Sequence, residues 1–370
     1  MDRRITALIP CHNEQDLLPR AVRSLASQGC RPDRIVVVAD NCTDGTVEVA
    51  HACGAEVWET VGNRHKKAGA LNQALGKLLP SMADGDAVLV LDGDSVLVED
   101  FVERALGGLR GGVGAVGGVF RAARVSNLVE RLQDAEYVRY AREVARGKAK
   151  ARVVTGTGAL FSVGALRAVA EGRSSGRLPG GACGVYDVAA LTEDNELTLA
   201  LKHLGWRCLS PKGCAVLTEA MPSWGRLWRQ RVRWQRGALE NLRAYGLTRV
   251  TAPYVARQAL MGAGVVAMAL LLLTTSLAVA SGGLEFQPFW LALTGVFAAE
   301  RVTTAWRAGP VAAAIAAVLF VEVAYELLQQ AVYVRCLFDA ALRRDERWGT
   351  HVFAGEDGAK GPGEGLGQAR

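Results

Sequence analysis

Three features that would assign a chain to a familiar class are missing from this sequence. Its first residues include basic side chains but no apolar run long enough for a secretory signal, so we expect the N-terminal domain to be cytoplasmic. The cysteines are scattered without a Cys-x-x-Cys pair, which argues against a zinc or redox site and favours reduced, structural thiols. The net charge of +6, from 43 basic and 37 acidic residues, is too small to indicate a nucleic-acid partner.

Apolar residues, by contrast, are abundant and unevenly distributed. They make up 50% of the 370 residues, the mean hydropathy is +0.14, and the excess lies after Pro253. Residues 259–280 contain no charged side chain and are long enough to cross a bilayer, which takes about 20 residues. We therefore expect a transmembrane helix there, within a membrane region that covers residues 251–335.

The number of membrane crossings is open between two and three. Residues 286–299 form a shorter apolar run, and residues 310–334 are apolar but include Glu322 and Glu326. This last segment either spans the bilayer with its acids facing a protein interior or lies on the surface as an amphipathic helix. Two crossings would keep the basic residues that follow on the cytoplasmic side, so we favour the surface helix. Residues 336–370, basic and then rich in glycine, are expected to be a disordered tail.

Short apolar runs typical of strands alternate with helical patterns through residues 1–222. The predicted strands, the last of them with a turn, cover residues 5–10, 34–39, 55–58, 87–91, 113–120 and 153–161. This alternation predicts an α/β domain with a mostly parallel central sheet, whose ligands gather outside the carboxyl ends of the strands. Residues 112–117 fit a Gly-x-Gly-x-x-Gly dinucleotide pattern, but these glycines lie in a strand-like run, so we reject a dinucleotide site. Residues 172–184, rich in glycine and serine, are predicted to be a loop.

One predicted strand delivers two acids to that edge of the sheet. The apolar residues 88–91 run directly into Asp92-Gly93-Asp94. Two carboxylates so placed can hold a hard divalent cation such as Mg²⁺ or Mn²⁺, which typically keeps several waters and is shared with substrate phosphates. The pattern therefore indicates a diphosphate ligand, as in a nucleotide-activated donor. A strand that ends in an ordinary Asp-Gly turn is the alternative.

Two helical segments carry further candidates, each with a structural alternative. Residues 192–194, Thr-Glu-Asp, precede an apolar helical pattern, and a capping box completed by Asn195 would explain them without a function. In residues 224–236 tryptophan and arginine interleave, which is typical of a helix in the lipid headgroup region, with substrate binding as the alternative. Basic residues also cluster in residues 139–152, either as a solvated face or as a membrane-facing surface.

Four motifs, taken in order, resemble those of the inverting family-2 glycosyltransferases. They are Asp40 after a strand, Asp92-Gly93-Asp94, Thr192-Glu193-Asp194, and Gln230-x-x-Arg233-Trp234 before the membrane region. The sequence is most similar to the membrane-bound branch that contains cellulose, chitin and hyaluronan synthases, and the Gln-x-x-Arg-Trp signature is the specific part. The resemblance covers residues 4–245. It implies a single nucleotide-sugar-binding domain of GT-A type at 1–222 and an interfacial amphipathic helix at 223–250 that carries the signature.

The resemblance also implies a role for individual residues. The donor-binding residues would be Asp40 at the uracil, Lys67 near the nucleotide, Asp92 near the diphosphate and sugar, and the signature residues Gln230, Arg233 and Trp234. Asp94, together with Asp92, would ligate the divalent metal, and Asp194 would be the catalytic base. The acceptor site would be formed by Gly156, Thr157, Glu193 and Trp234. The aromatic-rich, cysteine-containing form that the family usually shows around the Gly-Thr turn is absent here.

The implied reaction is a direct displacement with inversion. A hydroxyl needs a carboxylate to take its proton as it attacks, and the departing diphosphate needs positive charge, which the metal, Lys67 and Arg233 would supply. We therefore expect a multi-pass enzyme of the cell membrane with a cytoplasmic catalytic domain. It would transfer glucose or N-acetylglucosamine from a UDP-sugar to a saccharide hydroxyl with a β-linkage, as in polysaccharide synthesis.

Two alternatives stay open. One is transfer of a single sugar to a lipid carrier or another small acceptor, because two or three spans are few for a channel that extrudes a polymer. The other, less favoured because the acids and the signature are intact, is a non-catalytic nucleotide-sugar-binding membrane subunit. The expected partners are a UDP-sugar, a saccharide or lipid-linked acceptor and membrane lipids, without nucleic acid, and an oligomer is compatible with the sequence.

Overall fold

The computed structural model describes residues 3–181, 184–283, 288–306 and 309–342. In these ranges the strands are β1 Ile5–Cys11, β2 Arg34–Ala39, β3 Glu56–Glu59, β4 Ala87–Leu91, β5 Val96–Leu97, β6 Val113–Gly117, β7 Val119–Ala122, β8 Gly158–Ser162, β9 Arg207–Leu209 and β10 Ala215–Thr218. The helices there are α1 Leu18–Ala26, α2 Thr46–Ala52, α3 Lys66–Leu78, α4 Phe101–Gly108, α5 Leu128–Arg146, α6 Val163–Ser174, α7 Glu193–His203, α8 Trp224–Tyr245, α9 Ala252–Ala280, α10 Pro288–Ala305, α11 Pro310–Ala317 and α12 Leu319–Ala341. Part of the predicted loop, at 182–183, and the predicted tail from residue 343 onward lie outside the described residues.

Seven of these strands form a central sheet in the order β3-β2-β1-β4-β8-β6-β9. Neighbouring strands are parallel except at β8, which runs antiparallel to both β4 and β6. The prediction of an α/β domain with a mostly parallel sheet is therefore confirmed. The glycines of the rejected dinucleotide pattern lie in β6 and just before it, where they do not join a strand to a helix.

The central sheet is buried on both faces, as strands made almost entirely of apolar residues require. Every residue of β1 and of β4 is buried. Alternate strand residues contribute to two cores, one formed with α3, α6 and α7 and the other with α1 and α4. The parallel strands deliver the residues that follow them to one edge of this sheet.

A second sheet of three strands, in the order β5-β10-β7, lies beside the first. The structure differs here from the predicted single strand at 113–120, which breaks at Gly118 into β6 and β7, one in each sheet. A Cβ at Gly118 would overlap Val216 Cγ2 of β10, so the close approach of the two sheets requires glycine. Two other boundaries differ: β8 begins only at Gly158, and α6 continues to Ser174, into the predicted loop.

The C-terminal helices pack partly on the α/β domain. Helix α8 lies against α7 and α12, and α5 contacts α10 and α11. Within the described ranges α9 alone is long and apolar enough to cross a membrane, and none of its residues is buried. Of the two or three membrane helices predicted, this finding supports one. Helix α12 continues to Ala341, past the predicted start of the tail at residue 336.

The basic cluster at 139–152 divides into two parts. Arg139 Nη1 lies 3.3 Å from the Glu322 carboxylate of α12, and Arg142 Nη1 donates to Thr304 Oγ1 of α10 at 2.7 Å. These two arginines are therefore partly buried against the C-terminal helices, and Glu322 itself is buried in protein. The exposed remainder of the cluster consists of Arg146, Lys148, Lys150 and Arg152.

Candidate active site

Polar side chains gather at the carboxyl edge of the central sheet. Asp40 follows β2 directly, and Asp92 and Asp94 follow β4. Because β8 runs in the opposite direction, the Gly156-Thr157 turn before it lies at the same edge, and the Asp92 backbone N–H donates to the Thr157 carbonyl at 3.2 Å. The sheet topology thus brings together segments that are far apart in the sequence.

Lys67, in the first turn of α3, lies at the centre of this edge. Its Nζ is 2.5 Å from Asp92 Oδ1 and 3.3 Å from Glu193 Oε1, and it donates to the Gly156 carbonyl at 2.9 Å. Burial disfavours the charged ammonium, but the two carboxylates outweigh this effect and raise the pKa of Lys67. The lysine is therefore a fixed positive charge that joins α3, β4 and α7.

Asp194, in the first turn of α7, is held by two backbone groups. Its Oδ2 accepts from the Gly156 N–H at 3.1 Å and its Oδ1 from the Asn195 N–H at 2.7 Å. A Cβ at Gly156 would lie 3.1 Å from Lys67 Nζ and 3.3 Å from Asp194 Cβ, so this turn approaches the acid closely because it carries glycine.

The pKa values of Glu193 and Asp194 move in opposite directions. Burial raises the pKa of Glu193, but Lys67 and Arg233 outweigh it and the net pKa is lowered. Burial and the adjacent negative charge of Glu193 raise the pKa of Asp194, against the effect of Lys67. The helix start alone would favour the ionised form of Asp194, so the expectation from the helix dipole is reversed by its surroundings.

The capping-box interpretation of residues 192–194 is wrong. Thr192 does occupy the N-cap position of α7, but its side chain makes no capping hydrogen bond. Its Oγ1 instead accepts from Asn241 Nδ2 of α8 at 3.3 Å, and the same amide donates to Asn195 Oδ1 at 3.0 Å. These polar residues therefore fasten the start of α7 to the signature helix.

Glu14 is a third carboxylate beside Asp92 and Asp94, and it was not among the predicted site residues. A Cβ at Gly93 would lie 2.9 Å from Cys11 Sγ and 3.3 Å from Glu14 Cδ, so the turn after β1 packs directly on the Asp-Gly-Asp turn. Burial and the charges of Asp94 and Asp92 raise the pKa of Glu14 to about 8. Burial also raises the pKa of Asp92 to about 6, with Lys67 opposing and Asp94 adding to the rise. The position of Glu14 just beyond the carboxyl end of β1 is the signal that could have identified it.

This acidic cluster fits a divalent cation that is shared with a substrate. Asp92 and Asp94 offer the oxygen ligands that Mg²⁺ and Mn²⁺ prefer, and a cation beside them would relieve the repulsion between their charges. In the part of the chain that the structure describes, no group of three or more His, Cys, Asp or Glu side chains is arranged to hold a metal. The residues therefore suit an ion that takes its remaining ligands from water and phosphate oxygens.

Asp40 lies at the same edge among polar partners of its own. The residue is buried, and its Oδ1 accepts from Thr60 Oγ1 at 2.8 Å, Asn63 Nδ2 at 2.8 Å and Asn41 Nδ2 at 2.9 Å. Three donors on one carboxylate oxygen fix its orientation. Thr60 and Asn63, which precede α3, were not among the predicted site residues.

The signature in α8 contributes unequally to the site. Arg233 lies close enough to Glu193 to lower its pKa. The Trp234 ring stacks on Phe120 of β7 with the ring centroids 6.5 Å apart. Gln230 Oε1 accepts from Arg231 Nη1 at 3.4 Å, and among the described residues no hydrogen bond joins it to the lysine cluster, by which we mean Lys67, Asp92 and Glu193. Helix α8 is partly buried in protein, and its lipid-surface interpretation stays a prediction that concerns exposed residues such as Trp224.

A small cleft opens between Lys67 and the start of α7. Its lining residues are Lys67, Val90, Val154, Thr155, Gly156, Phe161, Tyr186, Glu193, Asp194 and Leu197. Tyr186, which the motifs did not identify, is held there through its backbone, because its N–H donates to Asn72 Oδ1 at 2.8 Å. Asn72 is the last residue of the Lys-Ala-Gly-Ala-Leu-Asn segment of α3, so this short segment positions both Lys67 and the cleft residue Tyr186.

Residues 3–237 match the model of the family described as "Glycosyltransferase like family 2". The chain is 25% identical over 244 residues to "Poly-beta-1,6-N-acetyl-D-glucosamine synthase" of Staphylococcus aureus, and 27% identical over 247 residues to "Probable glycosyltransferase YdaM" of Bacillus subtilis. These alignments cover 64% and 63% of this chain and 55% of each relative, so the chain spans about half the length of the curated relatives it matches.

A solved structure supports the fold. It is a mannosyltransferase from Pyrobaculum calidifontis, in complex with GDP-Man and Mn²⁺, with a TM-score of 0.55 and 23% sequence identity. The match covers 86% of this chain and 88% of that chain. With the family model matching well over half of its residues, this chain belongs to family 2 of the glycosyltransferases.

Proposed function

We propose that this glycosyltransferase is membrane-bound and inverting, and that it transfers glucose or N-acetylglucosamine from a UDP-sugar to a saccharide hydroxyl, forming a β-linkage in polysaccharide synthesis. The observation that carries the proposal is the position of Lys67, which pairs with Asp92 and Glu193 while Asp194 lies one residue further along α7. Positive charge for a leaving diphosphate and a carboxylate for an attacking hydroxyl are thereby within one small cleft.

Asp194 is the proposed base. Its two oxygens accept from backbone N–H groups, which fixes the carboxylate, and its raised pKa makes it a stronger proton acceptor than an ordinary aspartate. It takes the proton of the acceptor hydroxyl as that oxygen attacks the anomeric carbon, and the bond to the diphosphate breaks. Since no second carboxylate is assigned as a nucleophile, a single displacement inverts the anomeric configuration.

The donor would lie along the carboxyl edge of the sheet. Asp40 would accept from the uracil ring, and Lys67 and Arg233 would neutralise the diphosphate, with Asp92 beside the sugar and Gln230 and Trp234 over the site. Asp92 and Asp94 would hold Mg²⁺ or Mn²⁺, which when bound supplies further positive charge to the leaving group. Gly156, Thr157, Glu193 and Trp234 would form the acceptor side, and the cleft that Gly156 and Glu193 help to line is supporting evidence for that location.

Attachment to the membrane would occur through α9, which has the length and composition of a span, with the catalytic domain in the cytoplasm. A second crossing, by α10, belongs to the proposal, with α12 as the favoured surface helix, as does the lipid contact of the exposed face of α8. Transfer of one sugar to a lipid carrier is the second candidate, because the helices described are few for a polymer channel.

A donor screen tests the proposal. Membranes that carry the full chain are supplied with UDP-glucose, UDP-N-acetylglucosamine or GDP-mannose and Mn²⁺, and nucleotide release and product mass are measured. Release of UDP with a ladder of β-linked oligomers supports polysaccharide synthesis, and a single lipid-linked sugar supports the second candidate. GDP release alone would overturn the uridine donor, and donor binding without any turnover would indicate a non-catalytic subunit.

A further inference from the structure

A polar network, whose shared acid Glu136 is 32% exposed, joins the signature helix to the C-terminal helix α12. Arg231 Nη2 lies 2.8 Å from Glu136 Oε2 of α5, and the Tyr325 hydroxyl of α12 donates to this same oxygen at 2.5 Å. Gln329, one turn further along α12, reaches it with Nε2 at 3.4 Å. Arg231 is only 4% exposed and Tyr325 only 1%. Three elements of the chain therefore share one carboxylate oxygen.

The ring of Tyr325 also belongs to an apolar cluster at this junction. It packs with Leu227 of α8 and with Val129 and Leu132 of α5. A second contact from α12 reaches the signature itself, since the Sγ of Cys336 lies 3.6 Å from the Val232 carbonyl. Helix α12 thus contacts the signature segment at two neighbouring residues, Arg231 and Val232, although the two helices are far apart in the sequence.

The network continues from Arg231 to the face of α8 that carries the signature. The Arg231 guanidinium lies over the Trp234 ring, 4.4 Å from its centroid, and the same indole stacks on the Phe120 ring of β7. A cation held over an indole ring and a stacked aromatic partner together restrict the orientation of that ring. The orientation of Trp234 therefore depends on Arg231, and that of Arg231 on Glu136 and Tyr325.

We infer that Tyr325 and Glu136 are positioning residues, through which α12 holds the Gln-x-x-Arg-Trp segment in its place beside the start of α7. The inference rests on the proposed function, in which Arg233 and Trp234 contact the substrates. Neither Tyr325 nor Glu136 touches the lysine cluster in the described structure, so their effect is exerted through Arg231. If the two residues had a purely structural role, their loss would destabilise the chain as a whole and would not affect the signature segment more than other segments.

Matched tyrosine substitutions in the purified full chain separate these roles. Tyr325→Phe removes the hydroxyl that contacts Glu136, whereas Tyr333→Phe removes a hydroxyl from another buried tyrosine of α12, which donates to the Gln258 carbonyl of α9 at 2.8 Å. Loss of a hydrogen bond to a charged group should lower kcat/KM in Tyr325→Phe by about tenfold. Amide hydrogen exchange of residues 227–237 should become faster in this variant, with both properties unchanged in Tyr333→Phe.

A double substitution tests the route through Glu136. In a Glu136→Ala background Tyr325→Phe should cause a smaller further loss than in the wild-type background, because the hydroxyl has lost its acceptor and keeps only its contact with Arg231. Equal effects of the two tyrosine substitutions, independent losses in the double variant, or unchanged exchange in α8 would each overturn the inference. The exchange measurement needs no substrate, so a wild-type chain without transferase activity would contradict the proposed function and leave this test intact.

Discussion

Replacing Lys67 with methionine perturbs the centre of the site with little change in side-chain length. The substitution removes the ammonium that lies 2.5 Å from Asp92 and 3.3 Å from Glu193, and it leaves both carboxylates partly buried, 26% and 18% exposed, without this partner. By the proposed mechanism it also removes the positive charge that would neutralise the leaving diphosphate. We expect kcat to fall by roughly 10²–10³-fold, the loss typical for removal of one preorganised electrostatic group.

The same substitution should change how stability depends on pH. Lys67 opposes the burial that raises the pKa of Asp92 to about 6, so its loss should raise that pKa further above the unfolded value of about 3.9. A raised pKa favours the folded state below the unfolded value and destabilises it as pH rises through the folded value, by about 1.4 kcal/mol per unit of displacement. Both proteins lose stability alike up to the wild-type pKa of about 6, so Lys67→Met should lose stability relative to the wild type as pH rises above about 6.

Thermal unfolding from about pH 4 to 8 and UDP release at saturating donor measure the two effects. Lys77→Met is the matched control, because Lys77 lies on the same helix α3 but its ammonium is over the Trp58 ring, outside the site. The control should retain wild-type turnover and the wild-type pH dependence. Wild-type turnover in Lys67→Met, or a pH dependence of unfolding identical to that of the wild type, would refute the electrostatic role of this lysine.

Three further perturbations address the metal turn and the base. Gly93→Ala should lower the free energy of unfolding by about 1–3 kcal/mol and weaken donor binding, because its Cβ would overlap the neighbouring thiol. In the control Gly85→Ala the new Cβ meets nothing within 4 Å. Equal behaviour of the two variants in calorimetry and donor titration would contradict this prediction. Removal of divalent cations with EDTA should weaken UDP-sugar binding, and Asp94→Asn should need more Mn²⁺ for recovery than the exposed control Asp100→Asn; equal Mn²⁺ requirements in a titration would count against the metal site. Because the pKa of Asp194 is raised, kcat/KM should fall as pH drops through a value above the ordinary aspartate pKa of about 4, and a profile flat down to that value would exclude this base.

The sequence was sufficient for features that depend on local pattern and sheet topology. Apolar runs predicted β1, β2 and β4, and parallel strands end at one edge, so the sequence alone assigns Asp40 and Asp92 to the same edge of the sheet. The position of the Asp-Gly-Asp turn was predictable in the same way, because residues that directly follow a parallel strand lie at that edge. The split at Gly118 was not predictable in this way, since it depends on where a distant strand crosses.

The charge pattern inside the site was beyond local reasoning. The pKa of Asp194 is governed by burial and Glu193 more than by the helix start, and burial is a property of the packed chain. Likewise, the lipid interpretation of α8 rested on its content of tryptophan and arginine. Composition does not show that Arg231 is buried against Glu136, a residue of α5. Glu14 was not predicted as a site residue, because its role depends on the Asp-Gly-Asp turn that the fold brings beside it.

The most direct test of the proposed mechanism is a comparison of turnover and donor affinity in Asp194→Asn. This variant keeps the size of the side chain but cannot accept the hydroxyl proton. UDP release and UDP-sugar binding are measured for the wild type, for Asp194→Asn and for Asp187→Asn, a control acid that accepts from the backbone N–H of Ala189. We predict that Asp194→Asn abolishes release while donor affinity stays near that of the wild type, and full turnover in Asp194→Asn would contradict its role as the base.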